Sequence, residues 1–206
     1  MGFVVAGESV GFLIPASGFA IAYYAGLAPW PAYVLHVVLG LGEGALLGLA
    51  QALALRGTRG QVPTRRWVAV TAVAAALAWG IGMLPTTLFD SGVTLDPANA
   101  LVRIAAAGGA VALLLTIPVA QWTVLRHVLD RAWHWIPVNA AAWLVGLSLT
   151  LLPSPFVDET TPPTVLAVAF GLGGVAMATT VAVGTGVGMR RMLANQSRGA
   201  GREGGN

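Results

Sequence analysis

The sequence predicts an all-helical integral membrane protein, a bundle of six transmembrane helices. Of its 206 residues, 56% are hydrophobic and only 9% are charged, whereas a soluble domain carries about 25% charged residues. Apolar stretches near the length that a spanning helix needs, about 20 residues, recur along the whole chain. Nearly all of the arginines lie in alternate gaps between these stretches. A surface this apolar is stable against lipid rather than water.

Composition excludes several kinds of chemistry. Cysteine is absent, so neither a disulfide nor a thiolate metal site can form. All 11 basic residues are arginine, which leaves no lysine for a Schiff base. The arginines lie at helix ends, where anionic lipid headgroups would meet them. We therefore expect the lipid bilayer and its anionic lipids as partners rather than nucleic acid, and no cofactor is indicated.

The six predicted spans divide almost the whole chain. They cover residues 9–28, 32–55, 67–89, 104–125, 136–152 and 164–189. Residues 1–193 form one transmembrane domain, and the polar, Gly-rich segment 194–206 is expected to be a disordered cytoplasmic tail. The first span lacks a basic region before it, so we interpret it as a retained helix rather than a signal peptide.

Prolines mark the predicted helix ends. Pro29 and Pro31 predict a tight turn between the first two helices. Asp96-Pro97 is typical of an N-cap followed by a first-turn proline, which would open the fourth helix. Pro118 lies inside that helix and predicts a kink.

The charges predict the orientation. Ten of the 11 arginines fall on one predicted side: Arg56, Arg59, Arg65, Arg66, Arg126, Arg131, Arg190, Arg191, Arg198 and Arg202. The opposite loops contain Asp90, Asp96, Asp158 and Glu159, with Arg103 nearby. The positive-inside rule places the arginine-rich side in the cytoplasm, together with both termini. All-Arg usage with abundant Ala, Gly and Val favours a GC-rich bacterial genome, and hence the bacterial inner (plasma) membrane.

The tryptophan positions predict where the membrane interface lies along the helices. Trp67, Trp122, Trp133 and Trp135 are expected in an aromatic belt at the inner interface. Trp79 and Trp143 lie deeper in their spans and are expected to serve in packing.

An internal repeat links the even-numbered helices. The second ends Gln51-Ala-Leu-Ala-Leu-Arg56, the fourth ends Gln121-Trp-Thr-Val-Leu-Arg126, and the sixth ends Thr185-Gly-Val-Gly-Met-Arg190, a weaker echo. The following helices share Trp79-Gly80-Ile-Gly82 and Trp143-Leu-Val-Gly146. We predict three parallel helical hairpins, 1–2, 3–4 and 5–6, related by an axis along the membrane normal.

This pattern resembles uncharacterised small polytopic membrane proteins of GC-rich bacteria, in which a small-residue helix ends in Gln-Trp-x-x-Leu-Arg and a Trp-Gly helix follows. The resemblance covers about two thirds of the chain through short motifs, and Ala52 replaces the tryptophan in the first copy. It implies the architecture and carries no activity.

Two sets of glycines predict close helix packing. Gly40, Gly44 and Gly48 form GxxxGxxxG on the second helix, and Gly184 and Gly188 repeat the spacing on the sixth. Small residues at this spacing let two helices approach closely. The neighbour is either another helix of the same chain or a helix of a homo-oligomer or membrane-complex partner.

An intramembrane polar site is predicted around Glu43, midway along the second helix. An ionised carboxylate there costs about 2.5–3.5 kcal/mol on insertion scales. His36, on nearly the same face, and Gln51 extend the polar stripe. Gln51 and Gln121 are both expected to hydrogen-bond between helices. One interpretation is a proton or cation site or the wall of a substrate cavity. The other is a Glu43 that is hydrogen-bonded to a neighbouring helix and serves packing.

Three weaker patterns complete the candidates. Arg56, Arg126 and Arg190 are expected to reach lipid headgroups. His127, Asp130 and His134 would share a face if the fourth helix continued, and are weak candidates for a metal, which we do not predict. Gly7-Glu8-Ser9-Val10-Gly11 fits the G-x-S-x-G of a nucleophile elbow, but Ser9 as a helix N-cap is the preferred interpretation.

These observations favour a non-catalytic accessory or scaffold subunit of a membrane complex. The alternative is a transporter of a small solute, proton or cation that uses Glu43. An intramembrane enzyme ranks last, because the sequence contains no convincing pair of nucleophile and base.

Overall fold

A computed structural model describes residues 11, 14–15, 17–58, 60–158 and 160–203. Across these residues the secondary structure is helical, without a β-strand. The first helix, α1, includes the described residues 11, 14–15 and 17–24. The other helices are α2 (Pro29–Ala54), α3 (Thr64–Asp90), α4 (Ala100–Leu125), α5 (Trp135–Leu151) and α6 (Pro163–Glu203), and two short 3₁₀ helices, Ala132–His134 and Ser154–Phe156, flank α5.

Five helical segments are long and apolar enough to cross a membrane. They are Pro29–Ala54, Thr64–Asp90, Ala100–Leu125, Ala132–Phe156 and Thr164–Gln196. Many large apolar side chains point outward, among them Leu101 (75% exposed) and Val168 (62% exposed). Such a surface suits lipid, so the predicted all-helical, membrane-compatible fold is confirmed.

Two helix starts differ from their predictions. Helix α2 begins at Pro29, so the two prolines lie within its first turn, where an N–H would have no helical partner. Helix α4 begins at Ala100, because the Asn99 side chain accepts the Leu101 N–H at 2.9 Å. Asp96 instead accepts the Ala98 N–H at 2.8 Å within the preceding turn. The prediction of Asp96 as the α4 cap was therefore wrong.

Helix α6 continues into the segment predicted as a disordered tail. It extends to Glu203, and Leu193 packs against core residues at the ends of the other helices. Gln196 Nε2 donates to the Val128 carbonyl at 3.5 Å. These contacts hold α6 against the segment between α4 and α5. The polar composition of residues 194–206 did not indicate them.

One core cluster joins the ends of four helices to α6, and we call it the Leu125 cluster. Its buried members are Ala52, Leu55, Val62, Trp67, Val124, Leu125, Leu129, Ala132, Trp135 and Met189. The C-terminal ends of α2 and α4 meet there with Met189 of α6 and with the starts of α3 and α5. Helices α2, α4 and α6 therefore run in the same direction.

Glycines allow two pairs of helices to approach closely. A Cβ at Gly44 would lie 2.5 Å from the Ala75 Cβ and 2.8 Å from the Ala72 Cα of α3. One at Gly48 would lie 3.0 Å from the Val68 Cα. On α6, Gly184 and Gly188 face Ala142 and Val138 of α5. The glycines thus pack α2 on α3 and α6 on α5 within one chain.

We expect Gly44→Ala to destabilise the protein by about 1–3 kcal/mol, because the new methyl overlaps the α3 backbone. Gly108→Ala on α4 is the matched control, since a Cβ there meets nothing within 4 Å. The control should raise the free energy of unfolding by less than about 1 kcal/mol, because alanine has a higher helix propensity than glycine. Unfolding of both variants in mixed micelles measures the difference, and equal stabilities would contradict the close α2–α3 packing.

Candidate functional site

Gln121 is the centre of a buried hydrogen-bond network that connects four helices. Its side chain is 0% exposed. Its Nε2 donates to Gln51 Oε1 of α2 at 2.7 Å and to Thr71 Oγ1 of α3 at 3.0 Å. Its Oε1 accepts from Trp135 Nε1 and Asn139 Nδ2 of α5, both at 3.0 Å. We call this set the Gln121 network; in it both amide hydrogens and the amide oxygen of Gln121 are used.

Two tryptophans belong to this network rather than to an interfacial belt. Trp67 Nε1 donates to Gln51 Oε1 at 3.2 Å, as Trp135 does to Gln121. Trp67 is 0% and Trp135 2% exposed, whereas Trp133 is 57% exposed. The belt prediction was therefore wrong for Trp67 and Trp135, because a buried glutamine accepts each indole N–H.

A second polar cluster forms where α2 crosses α3. Trp79 Nε1 donates to Glu43 Oε2 at 2.6 Å, and the indole stacks on the His36 ring with centroids 6.0 Å apart. A Cβ at Gly40 would collide with the Trp79 ring. Gly40 thus makes room for the indole that connects His36 to Glu43.

His36 has one unused ring nitrogen. The ring is 1% exposed, and the Phe19 ring centroid lies 4.2 Å away. Nδ1 is 2.7 Å from the Ala32 carbonyl oxygen, which can only accept, so Nδ1 carries the proton. Nε2 is buried and has no hydrogen-bond partner among the described residues. Nε2 faces α1, where a Cβ at Gly18 would lie 3.3 Å from it.

Glu43 also lines a pocket between α2, α5 and α6. Its enclosed space is only about 10 Å³, room for roughly one water molecule. Its other lining residues are Leu47, Trp143, Met177, Ala178 and Val181. Glu43 is thus the only ionisable residue in an otherwise apolar lining.

The predicted polar stripe along α2 divides into these two sites. The structure brings Gln51 together with Gln121, and His36 together with Glu43 through Trp79. The contact between the two glutamines was not predicted, although both were expected to hydrogen-bond between helices.

The weak metal candidates and the G-x-S-x-G segment have different outcomes in the structure. Helix α4 ends at Leu125, which removes the helical spacing assumed for His127, Asp130 and His134. In the described ranges no group of three or more His, Asp or Glu side chains is placed to bind a metal. The G-x-S-x-G segment, with Ser9, lies outside the described residues except for Gly11.

The three arginines that were expected to reach lipid headgroups lie beside the Leu125 cluster. Arg56, Arg126 and Arg190 are exposed, and each follows a member of the Leu125 cluster, namely Leu55, Leu125 or Met189. Arg126 Cζ lies 5.2 Å from the Trp122 ring centroid. The structure thus presents these positive charges together.

Sequence reasoning missed Thr71 and Asn139 as network members. Each lies four residues after a buried tryptophan, in Trp67-Val-Ala-Val-Thr71 and Trp135-Ile-Pro-Val-Asn139. This spacing puts both side chains on one helix face. The shared Trp-x-x-x-polar pattern was the available signal.

The long apolar helices define a helical, membrane-compatible fold. No protein-family model matches the chain, and the comparisons with curated proteins and with solved structures gave no significant match.

We expect Gln121→Leu to destabilise the protein by about 2 kcal/mol or more, because it leaves Trp135, Asn139 and Gln51 with unmet hydrogen bonds. Ser148→Ala is the control, since its exposed hydroxyl bonds only to the Leu144 carbonyl of its own helix. Unfolding in mixed micelles is the measurement. A Gln121→Leu variant as stable as Ser148→Ala would mean that the network does not hold the helices together.

Proposed function

We propose that the chain crosses the membrane six times as three parallel helical hairpins. Two observations support the repeat. Leu55, Leu125 and Met189 each directly precede the arginine of a repeated segment, and they meet in one cluster. Gln51 accepts an indole N–H from the start of α3, just as Gln121 accepts one from the start of α5.

The repeat has a different register from the Trp-Gly match in the sequence. Trp67 corresponds to Trp135, because each donates its indole N–H to the glutamine near the end of the preceding helix. Thr71 and Asn139 follow these tryptophans by four residues, and both bond to Gln121. In that register Trp79 and Trp143 are not equivalent, and they have separate roles. Trp79 bonds to Glu43, whereas Trp143 lines the pocket.

Within this architecture, the protein acts as a non-catalytic accessory or scaffold subunit of a membrane complex. The observation that carries this proposal is the uncovered small-residue surface of α4. Gly108 has no atom within 4 Å of a Cβ position, and Ala105, Ala106 and Ala107 are exposed. Small residues offer lipid chains little contact area, whereas they let a second helix approach closely.

The GxxxG glycines of α2 and α6 differ from Gly108 of α4, because they are already covered by other helices. Gly44 and Gly184 already contact helices of the same chain, so their surfaces are occupied. The side-chain amide of Gln121 is likewise satisfied internally. Of the three surfaces compared, the N-terminal half of α4, which contains Ala105, Ala106, Ala107 and Gly108, is the one left available to a partner.

The proposed setting is the bacterial inner membrane with both termini in the cytoplasm. The exposed Arg56, Arg126 and Arg190 then face the anionic lipid headgroups of the inner leaflet.

A second candidate function, transport of a small solute, proton or cation, is favoured by one observation. Glu43 is an intramembrane carboxylate that lines a pocket between α2, α5 and α6, and such residues mark ion and substrate pathways.

We expect Gly108→Leu to abolish recovery of a membrane partner, because the added side chain prevents close approach of a helix. Gly171→Leu on α6 is the matched control, since a Cβ there also meets nothing within 4 Å, and it should retain the partner. Affinity purification from native membranes in mild detergent, with particle mass from light scattering, is the measurement. A wild-type protein that is strictly monomeric and without a partner would refute the scaffold function.

For the second candidate, we expect Glu43→Gln to lose flux in proteoliposomes, because the amide retains an acceptor for Trp79 but cannot take up a charge or proton. Asp130→Asn, at an exposed carboxylate outside the helices, should transport like the wild type. Proton uptake reported by a trapped pH dye is the measurement. Equal flux in wild type and Glu43→Gln would remove Glu43 from any transport mechanism.

A further inference from the structure

We propose that Arg131 binds the phosphate group of an anionic phospholipid. It lies in the connection between α4 and α5, residues 126–134, which we call the 126–134 segment. This inference rests on the proposed membrane setting, but it requires neither a protein partner nor transport.

Arg131 has a backbone conformation that is unfavourable for arginine. Its φ is 55° and its ψ is 31°, in the left-handed region, where the Cβ of an L-residue crowds a carbonyl oxygen. The other residues with a positive φ in the part of the chain that the structure describes are glycines, namely Gly26, Gly57 and Gly92. Glycine at position 131 would avoid the crowding. Since such strain is concentrated at functional sites, we infer that the arginine side chain has a use that outweighs it.

The Leu125 cluster fixes the backbone on both sides of Arg131. Leu129 and Ala132 are buried members of that cluster. The Arg131 carbonyl oxygen accepts the backbone N–H of His134 at 3.1 Å and its ring Nδ1–H at 3.0 Å. The Arg131 side chain itself is exposed. The exposed guanidinium is therefore attached to a backbone that the core holds in place.

Two tryptophans of this region suit the level of the lipid headgroups. Trp133 is 57% exposed, and its ring stacks on His134 with centroids 3.8 Å apart. Trp122, in the last turn of α4, is half-buried and lies 5.2 Å from Arg126 Cζ. Indoles with one apolar face and a polar N–H favour the membrane interface. Arg131 lies two residues before Trp133, so its guanidinium is close to the level of the lipid phosphates.

The positive charge of the 126–134 segment has no counter-charge bound to it. Arg126 and Arg131 are exposed, and within the described ranges neither forms an ion pair. Asp130 is the one acidic residue of the segment. A guanidinium binds a phosphate group through two parallel N–H···O hydrogen bonds, a geometry that lysine cannot offer. An anionic phosphate is therefore the ligand that matches Arg131.

A phospholipid is a better source of that phosphate than the free ion. Arg131 is open to its surroundings, so a dissolved phosphate would have to displace water there without help from an enclosing pocket. A lipid phosphate is held at the surface by its acyl chains, and the basic side chains beside the Leu125 cluster attract anionic lipids. The exposed ring of Trp133 adds an apolar surface for the glycerol and upper acyl chain.

The test uses the full chain in detergent micelles and follows its unfolding midpoint. The probe is phosphatidylglycerol; phosphatidylcholine with the same acyl chains is the lipid without net charge, and sodium phosphate is compared with sodium chloride at equal ionic strength. We expect saturating phosphatidylglycerol to raise the midpoint of the wild type by about 2–4 °C. The other additives should leave it unchanged.

Two variants of Arg131 separate its side chain from its backbone. Arg131→Gly should be at least as stable as the wild type without added lipid, because it relieves the left-handed strain, yet it should lose at least half of the rise. Arg131→Gln retains the strained backbone without the charge and should lose the rise as well. Arg65→Gln is the matched control, since Arg65 is exposed in the first turn of α3, and it should keep the rise.

A rise that persists in both Arg131 variants, an equal loss in Arg65→Gln, an equal rise with phosphatidylcholine, or no rise in the wild type would overturn the proposal. An equal rise with sodium phosphate would overturn the phospholipid as the source of the phosphate. Partner purification and this lipid titration have separate readouts, so the scaffold function and the phospholipid site can fail independently.

Discussion

The structure depends on one requirement: a primary amide buried among apolar helices must find all of its hydrogen-bond partners within the protein. Neither lipid nor an apolar core offers a donor or an acceptor. Gln121 meets the requirement by binding groups from α2, α3 and α5 at once. Any shift of one of these helices would break at least one of those bonds. The amide therefore fixes how α4 sits among its neighbours.

The glycines of α2 and the Gln121 network support each other. Gly44 and Gly48 bring α2 so close to α3 that Thr71 lies against both of them. That approach places Thr71 Oγ1 and Gln51 Oε1 within reach of the same amide nitrogen. Close packing supplies the geometry, and the hydrogen bonds select the register. The apolar surface alone would tolerate several registers, because lipid gives no directional preference.

The sequence indicated the apolar helices and the polar face of α2, since composition and periodicity encode them. It did not indicate what lies across from each residue. Trp67 and Trp135 have the placement of belt residues, and only the fold puts a glutamine beside each of them. His36, Glu43 and Gln51 share one helix, yet α3 separates them into two sites through Trp79. The start of α4 was misplaced because Asp96 and Asn99 are both good caps, and local sequence does not rank them.

The indole that lies between His36 and Glu43 has a consequence for how the site is observed. Its N–H touches the carboxylate and its ring faces the imidazole, so a change of charge on either group alters the electric field across the chromophore. Tryptophan emission responds to such fields. The molecule thus contains a native optical sensor beside Glu43, and replacing Trp79 with phenylalanine would identify that sensor's share of the spectrum.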